Sequence, residues 1–187
     1  MSRIARFLSG KIKLNGIEED VMEYVLFNLV SQAYYLTVCV LCGCILKSMT
    51  AALAFFLAFN LLRRYSGGVH ASTEMRCTVM STLMIVAVLI GVKLIPFEML
   101  SLRLIFSLTS FPIIALLAPV AAPEKPLSDK RKRINKCKAI IVSIIELTII
   151  IVYGNRNVTG ALTAAMTVQA VLLVLGMIKN KRLQKSG

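Results

Sequence analysis

One polar stretch, RRYSGGVHASTEMRC, spans residues 63–77 of an otherwise apolar chain. It holds the only histidine of the protein, His70, and a cysteine, Cys77, seven positions later. A cysteine thiolate is a strong nucleophile at neutral pH, and a neighbouring histidine can act as the base that generates it. These residue types therefore predict nucleophilic chemistry by Cys77 with His70 as general base.

The spacing of this pair requires a bend in the backbone. On one straight helix the two residues would share a face but stand about 10 Å apart along the axis, whereas a nucleophile and its base must approach to about 3 Å. Gly67 and Gly68 provide backbone that bends readily just before His70. Cys77 would then open an apolar helix, whose positive dipole end favours a thiolate, and Arg63 would add positive potential.

Structural explanations remain open for the same residues. A single histidine in a loop is commonly a surface residue, and a free cysteine packs like a small apolar residue. Glu74, four residues after His70, could orient the imidazole as the third member of a triad. It could equally pair with Arg64 or Arg76 at the surface. Residue types and spacing alone leave these alternatives undecided.

The composition is that of a membrane protein. Hydrophobic residues make up 57% of the chain and charged residues 17%, against roughly 45–50% and 25% in soluble domains. A net charge of +13 would raise the question of nucleic acid in a soluble protein. Here the basic residues flank apolar blocks, as membrane topology requires, so no nucleic-acid partner is expected.

The apolar blocks predict an all-α, polytopic membrane protein with a single domain over residues 1–187. About 20 apolar residues cross a bilayer, so the second and fifth blocks are short and need flanking residues or burial against neighbours. The basic N-terminus predicts a short helix on the membrane surface or a solvated tail. Residues 119–133, with three prolines, are expected to be extended. The six predicted spans are 25–46, 48–62, 77–95, 99–122, 139–153 and 158–178.

The basic residues set the predicted orientation. When the loop at 63–76 is assigned to the cytoplasm, 18 of the 22 lysines and arginines fall on that side. This distribution satisfies the positive-inside rule. Both termini are then predicted to be cytoplasmic.

Other residues with chemical potential form no complete site in the sequence. Cys39, Cys42 and Cys44 lie in the middle of the first predicted span without the further ligands that a tetrahedral metal site needs, so no metal or cofactor is expected. Glu146 lies in the middle of the fifth span, where a carboxylate is costly. It predicts either a proton or substrate path or a protonated acid that holds helices together, with Gln169 as its partner.

The motif at 63–77 resembles that of the accessory gene regulator B (AgrB) family, integral-membrane cysteine endopeptidases of Gram-positive quorum sensing. Arg63, Gly68, His70 and Cys77 follow the spacing R-x4-G-x-H-x6-C after a short apolar span. The resemblance covers most of the chain, from the basic N-terminus through about six spans to a loop rich in proline and lysine. The combination of motif and topology makes the resemblance specific.

The resemblance implies a peptidase in the cell membrane of a Gram-positive bacterium, acting as a homodimer with its site at the cytoplasmic face and without a cofactor. Its substrate would be an AgrD-type pro-peptide with an amphipathic leader, a central cysteine and an acidic tail. Cys77 would cut off the tail, and the substrate's own Cys or Ser would close a thiolactone or lactone.

Further residues are expected to support this reaction. Arg63 and backbone N–H groups at the start of the third span are candidate donors to the oxyanion, and Gly68 belongs to the same motif. A basic cytoplasmic loop would attract the acidic tail and the membrane-bound leader. Its predicted substrate-binding residues are Lys125, Lys130, Arg131, Lys132 and Arg133.

Two other classes of function compete with an enzyme. A transporter or channel would be expected to show paired interrupted spans and internal repeats, and no repeat is evident. A non-enzymatic scaffold or receptor would explain the spans but would leave the clustered His70, glycines and Cys77 without a role.

Overall fold

A computed structural model of the protein describes residues 19–69, 74–94, 100–120 and 128–186. Within these ranges the chain forms six helices, and the all-α class is confirmed. The helices are α1 Glu19–Ile45, α2 Met49–Ser66, α3 Glu74–Leu94, α4 Leu100–Leu117, α5 Asp129–Val152 and α6 Arg156–Ser186. The predicted N-terminal surface helix lies outside the described residues.

Four of the helices contain stretches that are long and apolar enough to cross a membrane. These stretches are Asn28–Ile45, Met75–Leu94, Leu100–Leu117 and Arg156–Arg182. The other two helices, α2 and α5, contain the two short predicted spans, and each adds charged residues at one end. This architecture is consistent with a helical membrane protein in which α2 and α5 lack such a stretch.

Two predicted boundaries in the second half of the chain are wrong. The fourth predicted span ran to residue 122, but α4 ends at Leu117, and Val120 bonds to Ser66 and Gly68 instead of continuing the helix. Residues 129–133 were expected to be extended, but they form the first turns of α5. Lysine and arginine are good helix formers, and the Ser128 hydroxyl caps the helix by accepting from the backbone N–H of Arg131.

Helices α2 and α6 form the centre of the bundle. The buried face of α2 includes Phe55 and Leu62, and that of α6 includes Met166 and Leu173, all of them inaccessible to solvent. By contrast, α1 and α3 leave half or more of their described apolar side chains exposed. In a membrane protein such faces suit contact with lipid.

A row of polar contacts joins α4 to α6. The Ser107 hydroxyl donates to Thr163 at 3.3 Å, and the Ser110 hydroxyl donates to Thr167 at 3.4 Å. Small hydroxyl residues let helices approach closely in apolar surroundings. Because the residue numbers on both helices rise together, α4 and α6 run parallel and end on the same side of the bundle.

The chain after α2 is bound to the segment that follows α4 and to the side of α6. The Val120 N–H donates to the Ser66 carbonyl at 2.9 Å, and the Gly68 N–H donates to the Val120 carbonyl at 3.1 Å. The Val69 N–H donates to the Leu172 carbonyl of α6 at 3.3 Å. We call residues 66–69, together with Val120 and Leu172, the clasp. It joins α2, the end of α4 and α6 at one end of the bundle.

Gly67 is required by this arrangement. Its φ is +70°, a conformation that side-chain-bearing residues rarely adopt. A β-carbon at this position would stand 2.2 Å from the Val120 carbonyl oxygen. Backbone strain and steric overlap therefore both exclude a larger residue.

We predict that Gly67→Ala lowers the free energy of unfolding by about 1–3 kcal/mol, because it combines unfavourable φ with overlap. Thermal loss of helical circular dichroism in lipid nanodiscs would measure the change. Gly154→Ala is the matched control, since a β-carbon at that position would have no atom of the described residues within 4 Å. Equal melting temperatures for the two variants would contradict the described backbone of the clasp.

Candidate functional site

Cys77 lies in the first turn of α3 and is partly buried, so the prediction that it opens an apolar helix is confirmed. Backbone N–H groups in the first turn of a helix lack partners within the helix, and the helix dipole is positive there. Of the five cysteines, Cys77 alone stands at a helix start. Its position gives a thiolate more electrostatic support than a site in the middle of a helix would.

Arg63, in the last turn of α2, bonds to the clasp and lies within electrostatic range of Cys77. Its Nη1 donates to the Gly67 carbonyl at 3.0 Å, and its Nη2 donates to the Val69 carbonyl. Burial lowers the pKa of the Arg63 guanidinium, and the nearby Cys77 sulfur acts in the opposite direction and raises it. Arginine stays charged in proteins, so a cation lies within electrostatic range of the candidate nucleophile.

Gly68 leaves room for this guanidinium. Its φ is +130°, and a β-carbon there would lie 2.2 Å from Nη1 of Arg63. The side of Gly68 that a side chain would occupy is therefore filled by Arg63. This contact gives a physical reason for a glycine at that position of the motif.

Gln169 of α6 is a site residue that sequence reasoning assigned elsewhere. Its Nε2 donates to the Ser66 hydroxyl at 2.6 Å and to the Gly67 carbonyl at 2.8 Å. The predicted pairing with Glu146 is wrong, because both carboxylate oxygens of Glu146 are buried without a hydrogen-bond partner among the residues that the structure describes. A polar residue in an apolar segment was visible in the sequence, but its partner on α2 was not.

Gly176 of α6 also went unnoticed in the sequence. A β-carbon there would lie 3.0 Å from the Gly68 carbonyl carbon and 3.0 Å from the Val69 nitrogen. The small residue lets the backbone of the clasp cross α6 closely. Sequence offered no signal for it, because a glycine in a membrane helix is common.

Two predicted site residues, His70 and Lys125, fall outside the described parts of the chain. The distance between His70 and Cys77 and the contact of Glu74 with His70 therefore stay predictions. Glu74 itself is the first residue of α3.

The remaining predicted substrate-binding residues lie together on the first turns of α5. They are exposed, and Lys132 forms an ion pair with Asp129 at 3.2 Å. The Lys138 ammonium lies 5.3 Å from the centroid of the Tyr65 ring at the end of α2, a cation–π distance. The start of α5 is therefore at the same end of the bundle as the clasp. We call Lys130, Arg131, Lys132 and Arg133 the basic surface.

The described ranges contain no group of three or more His, Cys, Asp or Glu side chains placed to hold a metal ion.

Comparison with known proteins identifies the family. The sequence model of the family described as accessory gene regulator B matches residues 1–173. The accessory gene regulator protein B of Staphylococcus intermedius is 34% identical over 124 residues, which cover 63% of this chain and 64% of that protein. The putative AgrB-like protein 2 of Clostridium perfringens strain 13 is 24% identical over 165 residues, covering 82% and 77%.

A second putative AgrB-like protein, from Clostridium perfringens strain SM101, is 24% identical over 163 residues, covering 81% of this chain and 76% of that protein. No solved structure gives a significant match. The family match extends over nearly the whole chain and includes the motif at 63–77, so the predicted resemblance is confirmed. The chain belongs to the accessory gene regulator B family.

Proposed function

We propose that this protein is a membrane cysteine endopeptidase that removes the acidic C-terminal tail of an AgrD-type pro-peptide. Family membership supports a role in the accessory gene regulator system. The observation that carries the proposal is the position of Cys77 in the first turn of α3, within electrostatic range of the partly buried Arg63 guanidinium. We assign the nucleophile of this reaction to that thiol.

In the proposed reaction, His70 takes the Cys77 proton and the sulfur attacks the carbonyl carbon before the tail. The carbonyl oxygen becomes an oxyanion, which backbone N–H groups in the first turn of α3 and Arg63 are candidates to stabilise. The C–N bond then breaks, and the leaving amine takes the proton from His70. The tail departs, and the rest of the pro-peptide stays bound to Cys77 as a thioester.

A second exchange releases the product. The central cysteine of the pro-peptide, or a serine in its place, attacks the thioester carbonyl and closes a thiolactone or lactone. The attacking thiol or hydroxyl gives up its proton, and the Cys77 sulfur takes up one proton as it leaves. One thioester replaces another in the cysteine case, so little bond free energy is lost. A site at the membrane edge limits the water that would otherwise hydrolyse the intermediate.

We further propose that all six helices cross the bilayer, with both termini and the site on the cytoplasmic side. The parallel course of α4 and α6 agrees with alternating spans, and the clasp joins α2 to the same end. Helices α2 and α5 then extend their charged ends into the cytoplasm. Residues 1–187 would form one domain, working as a homodimer.

The basic surface on α5 is proposed to bind the acidic tail. It lies near the end of α2 through the contact of Lys138 with Tyr65. Helical residues 130–133 direct their side chains around the helix, so only part of the set can face one ligand. Lys132, which is paired with Asp129, is the least available of the four.

We predict that Cys77→Ala abolishes tail removal, because it removes the nucleophile. Protein in lipid vesicles would be incubated with the pro-peptide encoded nearest its gene and analysed by intact-mass spectrometry. The unaltered protein should gain an acyl adduct on Cys77 and release the tail. Cys137→Ala, which alters an exposed cysteine on α5, should retain both. Cleavage that persists in Cys77→Ala would exclude the proposed nucleophile.

We predict that neutralising Lys130, Arg131 and Arg133 to Gln raises KM for this pro-peptide roughly 10-fold at low salt, since each exposed ion pair contributes up to about 1 kcal/mol. The difference should shrink as ionic strength rises. The matched control neutralises Lys179, Lys181 and Arg182 at the end of α6. A KM that is unchanged, or that changes equally in the two triple variants, would contradict a tail-binding role for the basic surface.

A further inference from the structure

Gln169 is a buried amide with an unusual set of neighbours. No part of its side chain reaches solvent. Its Nε2 donates to two acceptors that belong to consecutive residues, the Ser66 hydroxyl and the Gly67 carbonyl. Both acceptors lie where α2 ends and the clasp begins. A single side chain of α6 therefore binds the backbone and side chain at the end of α2, the helix that contains Arg63.

The orientation of the amide follows from its neighbours. The Ser66 hydroxyl gives its hydrogen to the Leu62 carbonyl at 2.6 Å, so its lone pairs must accept from Gln169. The Gly67 carbonyl can only accept. The –NH2 group must therefore face both, and a flipped amide would set oxygen against oxygen. Oε1 then points the other way and is buried without a hydrogen-bond partner among the described residues.

The Gly67 carbonyl receives a second donor from the other side. Arg63 Nη1 lies 3.0 Å away, and the same guanidinium also holds the Val69 carbonyl. One oxygen is thus shared by a side chain of α2 and a side chain of α6. Two donors on one carbonyl oxygen fix the plane of that peptide group more firmly than one donor does.

Helix α6 contacts the clasp at a second point one turn further on. The Leu172 carbonyl accepts from the Val69 N–H, and Leu172 follows Gln169 by three residues, so both lie on one face of α6. The contacts of Gln169 and Leu172 thus hold Gly67 and Val69, the two residues whose carbonyls bind Arg63. Both contacts therefore act on the position of the Arg63 charge.

Resting on the proposed peptidase function, we propose that Gln169 is a positioning residue: it holds the Gly67 carbonyl, which in turn holds the Arg63 guanidinium within electrostatic range of Cys77. Gln169 touches no reacting atom in this scheme. A merely structural role would affect stability alone, whereas a positioning role affects the chemical step in protein that is still folded.

The test compares Gln169→Leu, which keeps the approximate size but has no donor, with Thr163→Val. Thr163 is a fully buried hydroxyl residue of the same helix, away from the clasp. Single-turnover acylation of Cys77 and steady-state KM would be measured in vesicles with the pro-peptide encoded nearest the gene. Gln169→Leu should lower the acylation rate at least 10-fold with KM within about twofold, and Thr163→Val should lower neither.

The outcomes separate this inference from the proposed function. Failure of the unaltered protein to form the acyl adduct would overturn the peptidase and the inference with it. Normal acylation by folded Gln169→Leu would overturn the inference alone. If Gln169→Leu does not fold, Gln169→Asn decides, because its shorter amide cannot span both acceptors. Reduced acylation in folded Gln169→Asn supports the positioning role, and an unchanged rate overturns it.

Discussion

The carbonyl oxygen of Gly67 is the point on which the site depends. It accepts hydrogen bonds from Arg63 of α2 and Gln169 of α6, so it fixes the end of one helix against the side of another. The neighbouring backbone groups bond to Val120 and Leu172. A chain that leaves a helix would otherwise have several accessible conformations, and each extra one would lower the fraction of molecules with Arg63 near Cys77.

Sequence reasoning identified features set by neighbouring residues and missed contacts between residues far apart in the chain. Apolar blocks and flanking charges predicted the helices, and the motif at 63–77 predicted Cys77 at a helix start. The end of α4 was misjudged because Val120 bonds to Ser66 and Gly68, and such backbone bonds leave no mark in the residue types. Gln169 was noticed but was paired with Glu146 because the two residues lie at similar depth in their predicted spans. Similar depth does not establish contact.

The buried polar residues have different roles in different parts of the bundle. The pairs between α4 and α6 hold two parallel helices in register, since their hydroxyls contact each other across the interface. The polar groups of the clasp instead shape one backbone segment beside the motif. Glu146, 4% exposed and without a hydrogen-bond partner in the described parts of the chain, belongs to neither set. This division separates the residues that hold the bundle together from those that shape the candidate site.

The most direct test of the account measures the reactivity of Cys77 without any substrate. Iodoacetamide labelling at pH 7, followed by peptide mapping, would give the alkylation rates of Cys77 and of the exposed Cys137 in one sample. Cys77 should react faster than Cys137 despite partial burial, and Arg63→Gln should slow Cys77 roughly tenfold while leaving Cys137 unchanged. A Cys77 that reacts more slowly than Cys137, or that is indifferent to Arg63→Gln, would contradict the account.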